Sequence, residues 1–447
     1  MPHSQSKIII KRENIEKNTS KGNVFSADTM WSGDAALSLS WLHEATNLQC
    51  SAVQADDVSN AMRKGSRVRD GATIRLTLTR PVGQEKSEKD DDCLQPETLI
   101  IKQAVTEQSK ALSKQLGLSR EALFFKHLAP KIALDINPYI LPKVYYSMGS
   151  FDGDGSKVIV MEDIDGIDSG IMFGNGNPNN WKRDLPRMLK QLPHCPSSED
   201  VARVSFQECA KIHALFWRDT TLLSEDYHWL RGQNWLQGHG KESWTASQRL
   251  IQGFWSKYTK AEQDPEASQA VSVIEWDPTV RSNVEKAVKG ISWEAQVERL
   301  NKDRQYTLVH GDFWPGNIMW LKHVAEESGK SIKFVDWEMV GLGSGPQELG
   351  QYVISNMDPS DRRKCEESLV RSYYEELQTA LNGKTDMTWD ECWEEYKIGG
   401  VERWLWFLIY FVGQPGMSDW AQYFHNQLCA FIRDHGLSPK NITQPRP

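Results

Sequence analysis

Two periodicities alternate along this chain, and they divide it. In "DAALSLSWLHEATNL" apolar residues recur at helical spacing, which predicts a helix over about residues 34–48. Alternation of apolar and polar positions, rich in β-branched side chains, predicts a half-buried strand in "ATIRLTLTR", residues 72–80; a further strand is read in "ETLIIKQAV". Between them "PVGQEKSEKDDDCLQP" is too polar to pack, so the two strands read as a hairpin with a mobile tip over residues 81–97 whose charges serve solvation. A helix follows in "LSREALFFKHLAPKI" with Ser119 as its N-cap, then two strands, "PYILPKVYYSMG" and "SKVIVMEDID", separated by the turn "SFDGDG".

From about residue 166 the pattern changes to long helical stretches: "VARVSFQECAKIHALFW", "SQRLIQGFWSKYTKA", "DRRKCEESLVRSYYEELQTAL" and the segment around Trp404. Fifteen of the 18 tryptophans fall after residue 210, so the two parts differ in composition as well as in period. A chain of 447 residues also exceeds the roughly 250–300 at which a single core stops growing. The expected organisation is a mobile arm over 1–30, a small α+β lobe over 31–165 and a larger, mainly helical lobe over 166–447.

Composition narrows the possible chemistry. The net charge of -8 argues against a polyanion binder, so nucleic acid is not an expected partner. The seven cysteines are scattered without a CxxC pair, which suggests neither a zinc site nor a disulfide framework and fits a reducing compartment. The apolar run near the start is only three residues, against roughly 7–15 in the centre of a secretory signal. "WLWFLIYFVG", Trp404 to Gly413, has half the roughly 20 residues of a membrane span. The expectation is a cytoplasmic protein without membrane association, with that segment a buried helix.

One stretch of the larger lobe breaks the helical pattern. "YTLVHGDF" ends an apolar strand in a loop, "NIMWLK" and "SIKFVDWE" read as short strands, and "HVAEESGK" is the turn between them. That arrangement brings Asp312, Asn317 and Asp336 to one end of a small hairpin, a convergence of oxygen ligands and bases.

The sequence His-Gly-Asp, four residues, then Asn, followed by an aspartate after an apolar strand, resembles the aminoglycoside phosphotransferase and choline kinase group. "HGDFWPGNIMW", tryptophan included, is similar to the ecdysteroid-kinase-like branch of that group. The resemblance implies a protein-kinase-like bilobal α+β fold over roughly residues 34–430, and an ATP- and Mg²⁺-dependent kinase acting on a hydroxyl group of a small molecule. Such a transfer needs a carboxylate to take the acceptor proton and divalent cations to neutralise the triphosphate. Asp312 inherits the role of base, Asn317 and Asp336 those of magnesium ligands, and His310 and Gly311 structural roles as loop anchor and backbone turn. Glu338 resembles a glutamate of choline kinases placed near the metals or the acceptor. Lys102, on the strand "TLIIKQAV", corresponds to the lysine that meets the α- and β-phosphates, and Glu121 to its ion-pair partner. "VIVMEDID" would connect the lobes, with Met161, Glu162 and Asp163 beside the adenine. The phosphate-covering loop departs from the pattern: "KGSRVRDGATIRL" has Gly65 and Gly71 but no three-glycine motif, and Arg67 and Arg69 are candidates either for phosphate or for solvation.

The acceptor pocket would come from the helices after Asp336. Their aromatics, Trp404, Trp406, Tyr410, Trp420 and Tyr423, fit core packing better than a wall for an apolar ring or a cation. His213 reads as a satisfied core histidine, and Glu348 stands where the family often has aspartate, which leaves that contact open. The alternatives are a nucleotide-binding pseudokinase with a regulatory role, and a choline or amino-alcohol kinase; a protein kinase proper is disfavoured by the HGD form and by the absence of an A-P-E segment. Steroid-like alcohols, amino alcohols, sugars and antibiotics all suit these residues, because pocket shape selects the acceptor; oligomeric state is not written in them.

Overall fold

The computed structural model describes residues 8–11, 39–48, 50, 52–57, 72–79, 98–264, 266–299, 305–323 and 331–446. The chain forms two compact units, 1–165 with 333–339, and 166–332 with 340–447. The fold is α+β, a small antiparallel sheet in the first unit and helices dominating the second.

The first unit is built on six strands in the order β1 (Ile8–Lys11), β2 (Ala52–Asp57), β3 (Ala72–Thr79), β4 (Thr98–Ala104), β6 (Lys157–Glu162) and β5 (Val144–Gly149), each pair antiparallel. β1 lies inside the segment expected as a mobile arm, and is paired with β2 from Ile8 opposite Ala55 to Lys11 opposite Ala52. The remainder of the arm, the hairpin tip over 81–97, Gly65, Arg67, Arg69 and Gly71 lie outside the described residues. Leu76, Leu78, Leu99, Ile101, Val158 and Val160 bury one face of the sheet under Trp41 and Leu42 of α1 (Leu39–Thr46). The opposite face is also buried, with Ile100 and Ile159 within the core. Burial on both faces is why β4 and β6 read as continuous apolar runs rather than as alternation.

Among the described residues this unit holds three more helices: α2 (Glu107–Leu116), α3 (Arg120–His127) and α4 (Ala129–Asp135). The hydrophobic pattern leaves α2 unmarked, but its ends are written in local chemistry. Thr106 and Ser109 form a capping box, and Gly117 closes the helix at φ +70°. That closure changes the role expected of Ser119, which is already helical at φ -66° and makes no side-chain cap bond. The single helix expected after Ser119 is divided at Leu128, because Pro130 is tolerated in the first turn of α4 but not inside a helix. The segment 333–339 is stitched to this unit: Phe334 donates its N–H to the Ile140 carbonyl at 2.9 Å, Lys333 pairs with Glu162, and Trp337 stacks on Phe124 at 4.1 Å and 11°.

In the second unit β7 (Gly166–Asp168) pairs with β9 (Ile318–Leu321), and β8 (Thr307–Val309) with β11 (Gly341–Gly343), while the chain passes back through the first unit from Lys333, within β10 (Ile332–Phe334), to Met339. The long helices are α5 (Ser198–Leu215), α6 (Lys241–Ala261), α7 (Pro278–Lys289), α8 (Gly345–Asn356), α9 (Pro359–Ala380), α10 (Trp389–Val412) and α11 (Ser418–Asp434). α8 and α10 cross where glycine meets glycine: a Cβ on Gly350 would come within 2.7 Å of the Gly400 Cα and 2.4 Å of the Tyr396 carbonyl. Only bare backbone allows that approach. Trp404 is core, stacked on Phe424 at 4.5 Å and donating its indole N–H to the Gln351 carbonyl at 3.0 Å; Trp406, Tyr410, Trp420 and Tyr423 are half-buried. Among the described residues no helix is long and apolar enough to cross a membrane.

Candidate functional site

The first unit gathers five charged side chains. Lys102 and Lys157 share one face of the sheet, because Lys157 pairs with Ala104, two residues along β4 from Lys102. That face meets Glu121, fully buried near the start of α3. The Lys102 ammonium lies 2.8 Å from Glu121 and 2.8 Å from Asp336, joining three residues separated in sequence by 19 and 234 positions. Burial pulls the Lys102 ammonium down, but Asp336, Glu121 and Glu338 outweigh it and hold it well above the ordinary lysine range.

Asp336 sits at φ +70°, a left-handed conformation that aspartate tolerates better than most residues. Glu338 turns inward to Lys157, which is only 2% exposed and also lies 3.4 Å from Glu121. Burial raises the Glu338 carboxyl, Lys157 opposes the rise, and the Asp336 charge adds to it. The carboxylates of Glu121, Asp336 and Glu338 lie within 4.8 Å of one another, with the two lysines supplying their counter-charge. Met161 is buried in β6, and the Asp163 carboxylate is engaged by Arg75 of β3 at 2.6 and 3.1 Å.

The second unit holds the HGD loop. Gly311 has φ +80°, a conformation that disfavours any side chain, so the turn between His310 and Asp312 needs glycine. The His310 ring accepts the Asp312 N–H at 3.3 Å, holding the loop from inside. The Asn317 side-chain amide donates to the Asp312 carbonyl and carboxylate, both at 3.0 Å, so its carbonyl oxygen is the atom it presents to a cation. Gln351 of α8 donates to the other Asp312 oxygen at 3.3 Å. Arg403 of α10 spans Gly311 and Gln351, its guanidinium 2.8 Å from the Gly311 carbonyl and 3.3 Å from the Gln351 amide oxygen. Burial draws the Arg403 guanidinium down to about 10 against the pull of Asp312 and Glu348. The Gly350–Gly400 crossing lets α8 and α10 come close enough for Gln351 and Arg403 to meet at this loop.

Glu348 settles the contact left open in the sequence. It accepts the N–H of His310 at 3.0 Å and of Gly311 at 2.6 Å, and lies 3.2 Å from His213 Nε2. A carboxylate accepts only, so in the neutral ring Nε2 carries the proton and Nδ1 takes the Tyr373 hydroxyl at 2.9 Å. His213 is thus a satisfied core residue. Cys209 approaches the same ring at 3.3 Å, yet Glu348 is already committed to N–H donors, so the trio braces the loop rather than forming a metal site.

Of the residues singled out in the sequence, Lys102, Glu121 and Asp336 meet in the first unit, and Asp312 meets Asn317 in the second. Sequence reading missed Lys157, Gln351 and Arg403. The one available signal was the charged pair Glu402–Arg403 immediately before the apolar run that starts at Trp404.

A strand lysine is joined to a helix glutamate in the first unit, and an aspartate-led loop is held by asparagine in the second. The ecdysteroid kinase-like family model matches residues 203–383, which include Asp312, Asn317 and Asp336. No curated protein matches the sequence. Among solved structures the chain is similar to a putative aminoglycoside phosphotransferase from Ralstonia eutropha, at 13% identity over 88% of this chain and 97% of that one with a TM-score of 0.45. It is also similar to choline kinase from Cryptosporidium parvum (9% identity, 85% and 91% covered, TM-score 0.47) and to an ethanolamine kinase of Plasmodium vivax (12%, 84% and 82%, TM-score 0.37).

Proposed function

We propose that this protein transfers the γ-phosphoryl group of ATP to a hydroxyl group of a small molecule, with Asp312 as the base. The observation that carries this reading is the Lys102 ammonium shared at 2.8 Å between Glu121 and Asp336, an arrangement suited to receiving a triphosphate. Lys102 exchanges its bond to Asp336 for phosphate oxygens, while Glu121 keeps its stem in place. Asn317 and Asp336 offer one neutral and one anionic hard oxygen, the donor set magnesium takes beside phosphate, and the cation would neutralise charge on the triphosphate. Asp312, aimed by the Asn317 and Gln351 amides, accepts the proton of the acceptor hydroxyl. The acceptor is a hydroxylated metabolite, and neither nucleic acid nor a membrane enters the reaction.

The test is untargeted. Purified protein is incubated with ATP, Mg²⁺ and a metabolite extract, and products are read by mass spectrometry, with Asp312→Asn in parallel. Metabolites that gain one phosphate only with the unaltered protein support the reading. Absence of product together with absence of Mg²⁺-dependent nucleotide binding overturns it, and nucleotide binding without turnover would instead favour the regulatory pseudokinase.

A further inference from the structure

We propose that Lys157 is a positioning residue for the nucleotide site, a permanent counter-cation that leaves Lys102 free to exchange a carboxylate for phosphate. The proposal rests on the kinase reading above and deepens it.

The argument begins with charge. Glu121, Asp336 and Glu338 bring three carboxylates within 4.8 Å; Lys102 pairs with Glu121 and Asp336, and Lys157 with Glu121 and Glu338. The two lysines are unequal. Lys102 is 23% exposed at its side chain and divides itself between Glu121 and Asp336. Lys157 is 2% exposed and divides itself between Glu121 and Glu338, so it has no path to a ligand in water.

Consider what happens when Lys102 turns to phosphate. Without Lys157, the buried Glu121 and the half-buried Glu338 would lose the cation they share, and the cost of separating Lys102 from Glu121 would weigh directly against nucleotide binding. With Lys157 in place both carboxylates keep a partner throughout, and Lys102 gives up only its bond to the more exposed Asp336. The sheet register makes this possible: the diagonal of β4 and β6 places a second lysine on the face that already carries Lys102.

The test compares binding of a fluorescent ATP analogue with Mg²⁺ to the full chain and to Lys157→Met, Glu338→Gln and the double variant. Lys157→Met should weaken binding about 10-fold, because Glu338 then competes for Lys102; removing that competitor in the double variant should restore affinity to within about 3-fold. Lys157→Arg, which keeps the charge, should bind nearly as the unaltered chain does. If Lys157→Met binds as tightly as the unaltered chain, or if it and the double variant are equally weak, the proposal is overturned. Should Lys157→Met fail to fold, the double variant and Lys157→Arg decide: a folded double variant weakened about 10-fold overturns it. Failure of the unaltered chain to bind nucleotide at all overturns the kinase reading instead.

Discussion

The carboxylate of Glu348 accepts the backbone N–H of Gly311 at 2.6 Å, and this one bond ties a helix of the second unit to the turn that aims Asp312. The same side chain takes the His310 N–H and faces His213, so one glutamate saturates three donors in a buried pocket.

Removing that anchor leaves two buried backbone donors and a buried imidazole N–H unsatisfied. Glu348→Ala is expected to lose about 3 kcal/mol of unfolding free energy in urea. Glu348→Asp should recover part of it, at the cost of a displaced HGD turn and reduced turnover.

The same bonds set a pH dependence. Burial raises the Glu348 carboxyl, but the hydrogen bonds from His213 and from the Gly311 N–H outweigh it and hold the group below its ordinary 4.5. A depressed carboxylate contributes stability that is fully present above its unfolded value and is lost as pH falls through its lower folded value. The stability difference between the unaltered chain and Glu348→Gln should therefore be constant above about pH 5 and shrink as acid is added below it, read by urea titration at each pH.

Backbone proximity governs the approach of α8 to α10. At Gly350 a methyl group would lie 2.4 Å from a carbonyl oxygen and 2.7 Å from the Gly400 Cα, and neither is the end of a flexible side chain. Gly350→Ala should cost about 2–3 kcal/mol in stability and lower turnover disproportionately, because Gln351 and Arg403 move away from the loop. Thermal unfolding and kcat measured on the same samples separate the two effects.

Arg403 bridges two oxygens that a lysine cannot reach together. Arg403→Lys should reduce kcat about 10-fold while leaving the affinity for ATP unchanged, since its contacts concern the Asp312 loop and not Lys102. Loss of ATP affinity in that variant would contradict the assignment.

For Asp312 itself, Asp312→Asn should lower kcat by about 100-fold or more with nucleotide binding retained, the loss typical of a missing general base. Equal loss of both would point to a structural role for the side chain.

Much of this was legible in the order of residues, for reasons that can be named. Long helices such as Ser198–Leu215 and Pro359–Ala380 announce themselves because a stripe at helical period survives any later packing. Lys102 and Glu121 are picked out by the resemblance to kinases, which asks for a lysine on an apolar strand and a glutamate at the start of the next helix. The division of the expected helix at Leu128 and the capped helix Glu107–Leu116 turned on local cap and proline chemistry that periodicity does not weigh.

What the chain determined by itself was local: which stretches are strands and helices, which turn needs glycine at 311, and which oxygen-bearing side chains stand at fixed intervals near it. Those properties depend on neighbours a few positions away. Tertiary structure alone decided partners drawn from distant segments: Lys157 with Glu338, Gln351 and Arg403 around Asp312, and Glu348 beneath Gly311. The physical reason is that the worth of a charge or an amide is set by burial and by what faces it. Both are created only when helices and sheets close on one another.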